Sequence, residues 1–236
     1  GNPSYAFNST AQKNMEIIDV ASNHVTGSIS ANMFGEALLS FSAYDVCFSG
    51  GFPVEMCNSK KLKTLVVDGI TAGCSRPIWT GIAGSPRFTS AVEGGLPDCI
   101  WTDMQNLTTL HAAGNGMGGT IPTLDVYGNL TDLDLSFNRF TGTLPKMLQN
   151  WTKLINFDIE NNKFVGHISN MGNLRFGYDD QVDDADSISI NLNTNRLSGI
   201  IPLEFQYAEN MHIVEGNLFT CSITHQPPDH DPNSAG

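Results

Sequence analysis

The chain has 236 residues, of which 40% are hydrophobic and only 15% charged, against a usual charged share of about 25%, and its formal net charge is −12. There is enough apolar material for a core, the surface must be largely neutral and polar, and the acidic balance argues against nucleic-acid backbone or anionic lipid as a partner unless a local basic patch exists; the densest basic run, Lys60, Lys61 and Lys63, does not make one along the sequence. No run of about 18 apolar residues is present to span a bilayer, so a membrane would be reached only through segments outside this chain.

Residues 1–14 open as GNPSYAFNST and lack the charged and apolar regions of a signal peptide, which predicts a lead-in without a recognisable cap, on a chain that is mature or cut from something longer. From Met15 onward, apolar residues alternate with polar ones and the alternation ends at an Asn. Asn23 closes the first unit; Val46 and Ile70 take the Asn position in the next two; Asn115, Asn138, Asn162, Asn195 and Asn217 close the rest. The last four steps are 23, 24, 33 and 22 residues, so a repeat of eight coils runs over residues 15–221. The 45 residues between Ile70 and Asn115 imply an insertion at about 72–92. A smaller excess falls at about 172–186 and holds YDDQVDDAD. In a solenoid such insertions emerge as loops on one face, often the binding face. Residues 222–236 read as a cap remnant or tail.

Leu130 to Pro145, LTDLDLSFNRFTGTLP, is the clearest unit. Leu133 and Leu135 alternate with Asp132, Asp134 and Ser136, so a short strand buries one side and wets the other. At Asn138 the chain must turn, and a buried side-chain amide there can satisfy backbone groups left unpaired in this coil and its neighbour. One such coil cannot cover its own apolar side, so it predicts neighbours.

The spelling L-x-x-L-x-L-x-x-N-x-L-x-G-x-L-P, with GTIP, GTLP and GIIP recurring in register, resembles the plant-type leucine-rich repeat class. That class includes polygalacturonase-inhibiting proteins and the ectodomains of receptor-like kinases. The resemblance implies an α/β solenoid: a curved right-handed superhelix of about eight coils with a parallel β-sheet on its concave face and an irregular or 3-10 convex side. It also implies extracellular recognition rather than catalysis. The departures are the missing paired-cysteine cap before Met15 and the loss of Asn at Val46 and Ile70.

Cys47, Cys57, Cys74 and Cys99 allow three pairings, and proximity in sequence favours Cys47 with Cys57 and Cys74 with Cys99. Cys221 is left over, its partner expected beyond Gly236 or the residue a free thiol. Four sequons, at Asn8, Asn106, Asn129 and Asn150, predict N-linked glycans and, with the cysteines, a secreted or cell-surface setting. No cofactor is implied, and no Cys/His cluster has the spacing of a metal site. The acidic run Asp179, Asp180, Asp183, Asp184 and Asp186 lacks the D-x-D-x-D-G spacing of a calcium loop and reads as a solvated loop. The tail residues His225, Asp229, His230 and Asp231 sit among prolines and read as part of the cap remnant.

Counting back four residues from each Asn position puts Asp19, Ser42, Val66, His111, Asp134, Asp158, Asn191 and Ile213 on the wet side of the sheet. Counting back two adds Ala21, Tyr44, Asp68, Ala113, Ser136, Glu160, Asn193 and Glu215. Adjacent strands lie about 5 Å apart, so Asp132, Asp134, Asp158 and Glu160 should form an acidic cluster with Tyr44, Asp68, His111 and Asn191 as further candidates for a ligand site. Like charges this close favour a compensating partner: a basic peptide or protein, a cation, or a hydroxyl-rich glycan. Ice binding would need a regular Thr ladder, and Thr64 and Thr109 give way to Asp132 and Asn156. The motifs of serine hydrolases, P-loop enzymes and zinc proteases are absent, so the chain reads as a binding module. The competing expectation is an extracellular fibre built by self-association through the uncapped first coil.

Overall fold

The structure, a computed structural model, describes residues 6–75, 92–122, 129–145, 148, 151–168, 188–203, 205 and 210–220. The acidic run at 179–186, most of the first insertion, Asn150, Cys221 and the tail lie outside the described residues. The chain divides into two compact units, Gly1–Gly118 and Gly119–Gly236.

In the first unit, four short strands pair in parallel: β1 (Ile17–Asp19), β3 (Ser40–Ser42), β5 (Thr64–Val66) and β6 (Thr109–His111). β2 (Thr26–Gly27) pairs with β4 (Cys47–Phe48) on a second, smaller sheet. β7 (Gly118–Thr120) falls at the boundary. In the second unit, β8 (Asp132–Asp134), β10 (Asn156–Asp158), β12 (Ser189–Asn191) and β14 (Asn210–His212) form the main parallel sheet. β9 (Arg139–Thr143), β11 (Lys163–His167), β13 (Arg196–Gly199) and β15 (Leu218–Phe219) form the other. Eight main-sheet strands delimit about seven turns of parallel β-solenoid. Helix is sparse: among the described residues, α1 (Cys99–Thr102) and short 3-10 turns such as Ala31–Met33 and Val54–Asn58.

Strand alternation produces two buried columns in each unit. Ile18, Phe41, Leu65 and Leu110 stack in the first, and Leu133, Phe157, Ile190 and Met211 in the second. One step on, Val20, Ala43, Val67 and Ala112, then Leu135, Ile159, Leu192 and Ile213, repeat the pattern. Phe34 packs on Phe41 at 5.0 Å, and Phe140 stacks on Phe164 at 6.3 Å. At about 25 cal/mol per Å² of apolar surface removed from water, these columns are the main source of stability.

The turn Asn behaves as its chemistry requires. Asn162 Nδ2 donates to Leu135 O at 2.8 Å, in the preceding coil, and to Ile159 O at 3.1 Å in its own, while its Oδ1 accepts from Phe140 N at 2.9 Å. Asn115, Asn195 and Asn217 repeat the pattern, each joined to the coil before it. The residue just before the turn position sits in the left-handed region in every coil: Ser22, Asp45, Gly69, Gly114, Phe137, Asn161, Thr194 and Gly216 all have φ between 51° and 70°. A side chain there costs about 1–2 kcal/mol.

That requirement yields a paired test. A Cβ on Gly216 would lie 2.8 Å from Thr194 Cα, so Gly216→Ala is expected to lose about 2–3 kcal/mol by chemical denaturation. Phe137→Gly, at an exposed side chain with the same φ, is expected to be neutral or to gain up to about 1 kcal/mol.

Two expectations are corrected. Cys47 bonds to Cys74, and Cys57 to Cys99. In a solenoid the spatial neighbour of a residue lies one coil away, so proximity along the sequence selects the wrong partner. The second correction concerns Ile213, which is fully buried rather than on the wet side. The last coil carries one extra residue before its Asn: Asn217 Nδ2 reaches back four residues to Ile213 O, where Asn195 reaches back three to Leu192 O. Counting back from the Asn therefore slips by one, and a slip of one exchanges faces. His212 takes the outward place, paired with Asn191 in the sheet.

Candidate functional site

The register sets Asp134 beside Asp158, and Asp158 beside Asn191. The strand alternation that buries Leu133, Phe157 and Ile190 turns these side chains to the open face of the second unit's main sheet. Each acid is oriented by its own backbone: Asp134 Oδ1 accepts from Ser136 N at 2.9 Å, and Asp158 Oδ1 from Glu160 N at 2.8 Å. Asn191 Nδ2 then donates to both Asp158 Oδ2 at 3.1 Å and Glu160 Oε2 at 2.9 Å. Sequence reasoning placed Asn191 at the edge of this cluster; in the structure it is the clamp between two carboxylates.

Burial pushes the Asp158 carboxyl up from 3.8 to about 6; the backbone donor from Glu160 opposes this, the charge of Asp134 adds to it, the Asn191 donor opposes, and the charge of Glu160 adds again. A proton thus binds the folded state more tightly than the unfolded one, and folding is favoured as pH falls through about 6 and loses that contribution as pH rises through it. Asp158→Asn removes the ionised group. After allowance for solvent screening we expect a melting temperature about 2–4 °C higher than the parent at pH 7, with most of that gain gone at about pH 4, close to the unfolded-state value of 3.8. Thermal scans of both proteins at the two pH values read this directly.

Asn193 Oδ1, on the next step of the same face, is buried and has no hydrogen-bond partner. His212, beside Asn191, is exposed and completes this face with an imidazole.

In the first unit, His111 Nδ1 lies 3.9 Å from Asp68 Oδ2, and Asp68 Oδ1 accepts from Ala113 N at 2.7 Å. Tyr44 is 43% exposed on the strand-end row that Asp68 continues. Asn8 is exposed, its Oδ1 capping the backbone N–H groups of Thr10 and Ala11, which leaves Nδ2 for a glycan. Asn106 is exposed with Nδ2 donating to Lys60 O, and Asn129 Oδ1 accepts from Lys153 Nζ. Among the described residues, no three His, Cys, Asp or Glu side chains converge as metal ligands, and no helix is long and apolar enough to cross a membrane.

Parallel coils, an inter-coil Asn ladder and two disulfides define a leucine-rich repeat solenoid. The Leucine Rich Repeat family profile matches residues 129–151. In structure the chain resembles plant leucine-rich repeat ectodomains. The Arabidopsis receptor kinase HAESA ectodomain, solved with an N-terminally extended IDA peptide hormone, is 27% identical with a TM-score of 0.58, over 85% of this chain and 33% of that one. A TDR receptor is 20% identical with a TM-score of 0.61, over 87% and 35%. A plant ice-binding protein is 18% identical with a TM-score of 0.51, over 83% and 62%. The chain spans about a third of the length of the receptor ectodomains. No curated protein matches it in sequence.

Proposed function

We propose that the chain is an extracellular recognition module whose acidic row, Asp132, Asp134, Asp158 and Glu160, receives a cationic segment of a peptide or protein. The observation that carries this reading is the Asn191 clamp, which holds the carboxylates of Asp158 and Glu160 together on an open sheet, where burial first and then the charges of Asp134 and Glu160 disfavour the ionised Asp158. A Lys or Arg side chain arriving there would relieve that repulsion and meet preoriented acceptors. The likeness to HAESA supports a peptide as ligand, since that ectodomain holds a peptide hormone. Two disulfides and sequons on exposed Asn8 and Asn106 support an oxidising, extracellular setting.

The test is a peptide and glycan array probed with the parent and with Asp134→Lys/Asp158→Lys. Basic peptides that bind the parent and lose the double variant support the reading. Retention by the variant, or selection of neutral glycans alone, removes it. A second reading, fibre assembly, is favoured by Ile17, 67% exposed on β1, a strand whose one partner among the described residues is β3. Concentration-dependent assembly abolished by Ile17→Lys would select it.

A further inference from the structure

A cavity of about 820 Å³ opens in the first unit, walled by Ser9, Thr10 and Lys13 on one side and by Gly35, Asn58, Lys60 and Lys61 on the others. It is a built feature. Ser9 N donates to Asn32 O at 2.9 Å, and a Cβ on Gly35 would stand 2.9 Å from Ser9 Cβ, so the close approach of the first turn needs glycine there. Ser59 Oγ donates to Gly35 O at 3.0 Å, and Asn106 Nδ2 to Lys60 O at 2.9 Å, which ties the lysine segment to two other coils.

The electrostatics are opposite to those of the whole chain. Lys13, Lys60 and Lys61 face a single carboxylate, Glu36, among the described lining residues, leaving a local charge of about +2 on a chain of net −12. None of the three lysines has an ion-pair partner among the described residues. The run Lys60, Lys61 and Lys63 looks too sparse for a basic patch along the sequence; folding brings two of its members to Lys13.

We propose that this cavity binds a phosphate monoester carried on a sugar-sized polyol. A phosphate monoester carries about −1.5 to −2 near neutral pH, which matches the local charge. The volume falls in the range of about 300–1,000 Å³ typical of small-molecule sites, so it accommodates an organic body beyond the phosphate itself. The hydroxyls of Ser9 and Thr10 and the amide of Asn58 supply partners for that body's hydroxyls. Lysine ammonium groups on flexible stems meet phosphate as point charges. The site is separate from the acidic row and does not depend on what that row binds.

Calorimetric titration of the intact chain with glucose 6-phosphate, glucose and glucose 6-sulfate, alongside sedimentation with phosphatidylcholine vesicles with and without phosphatidylinositol 4-phosphate, tests the assignment. Saturable binding of glucose 6-phosphate, or of the phosphoinositide vesicles alone, supports it, and separates a soluble ligand from a lipid headgroup. Lys60→Glu and Lys61→Glu are each expected to weaken that binding at least about tenfold without moving the thermal midpoint, Lys60→Gln by less, while Asp134→Lys/Asp158→Lys leaves it unchanged. Absence of saturable binding, equal binding of glucose or the sulfate ester, or binding indifferent to the lysine variants overturns it.

Discussion

Asn162→Ala is expected to cost about 3–5 kcal/mol, the largest loss of any single substitution considered, and to lower the melting temperature by roughly 10 °C. The reason is the number of groups that one side chain serves. Its amide donates to carbonyls of Leu135, Ile159 and Glu160 and its oxygen accepts from the backbone of Phe140. Removing it orphans a buried N–H and removes donors from carbonyls in two coils. Asn162→Asp keeps the acceptor but loses the donors and buries a charge, so it should fall at least as far. Asn23→Ala is the control: that side chain is exposed and bonds only to Val20 O and Ala21 O within its own coil, so its loss should stay below about 1 kcal/mol. Denaturant midpoints of the three variants against the parent measure the series, and equal losses at positions 23 and 162 would refute the inter-coil role.

The second large effect is covalent. Closing a loop with a sequence separation of 42 residues, Cys57–Cys99 removes chain entropy worth about 4 kcal/mol from the unfolded state; Cys47–Cys74, with a separation of 27, contributes slightly less. The double variants Cys57→Ala/Cys99→Ala and Cys47→Ala/Cys74→Ala should each lose about 2–4 kcal/mol. Cys47→Ala/Cys57→Ala breaks both bonds and strands Cys74 and Cys99, so it should lose the sum and acquire two titratable thiols. Non-reducing peptide maps decide the pairing independently: a fragment joining Cys57 to Cys99 is expected, and one joining Cys47 to Cys57 would contradict the fold.

Much of this architecture was legible in the chain before folding was considered. Counting back from the Asn position located the main-sheet strands of seven coils, because the distance from the second buried residue to the turn is fixed by the backbone path. It failed at Ile213, where one extra residue lengthens the turn. Asp134, Asp158 and Glu160 lie on one face, and Asp132 stands opposite Asn156, because period-two alternation and coil stacking are both readable from spacing. The disulfides were not, since the nearest cysteine in sequence lies elsewhere in the same coil. With about 20 inserted residues discounted, Cys57 and Cys99 stand one coil apart. The lysine cavity was hidden for a related reason: Lys13 is far from Lys60 in the chain, and charge clustering across coils leaves no local signature.

The disulfides and the Asn ladder are also unevenly distributed. Among the described residues both disulfides lie in the first unit, where Val46 and Ile70 occupy turn positions that elsewhere hold an amide. The second unit carries the turn amides of Asn138, Asn162, Asn195 and Asn217 and no disulfide among its described residues. The first unit therefore adds to the Asn115 ladder bonds that a reductant opens, while the ladder of the second is indifferent to it. Exposure to thiols should release amide exchange protection in the described strands of the first unit well before those of the second, so that the ambient redox potential, rather than heat, sets which of the two softens first.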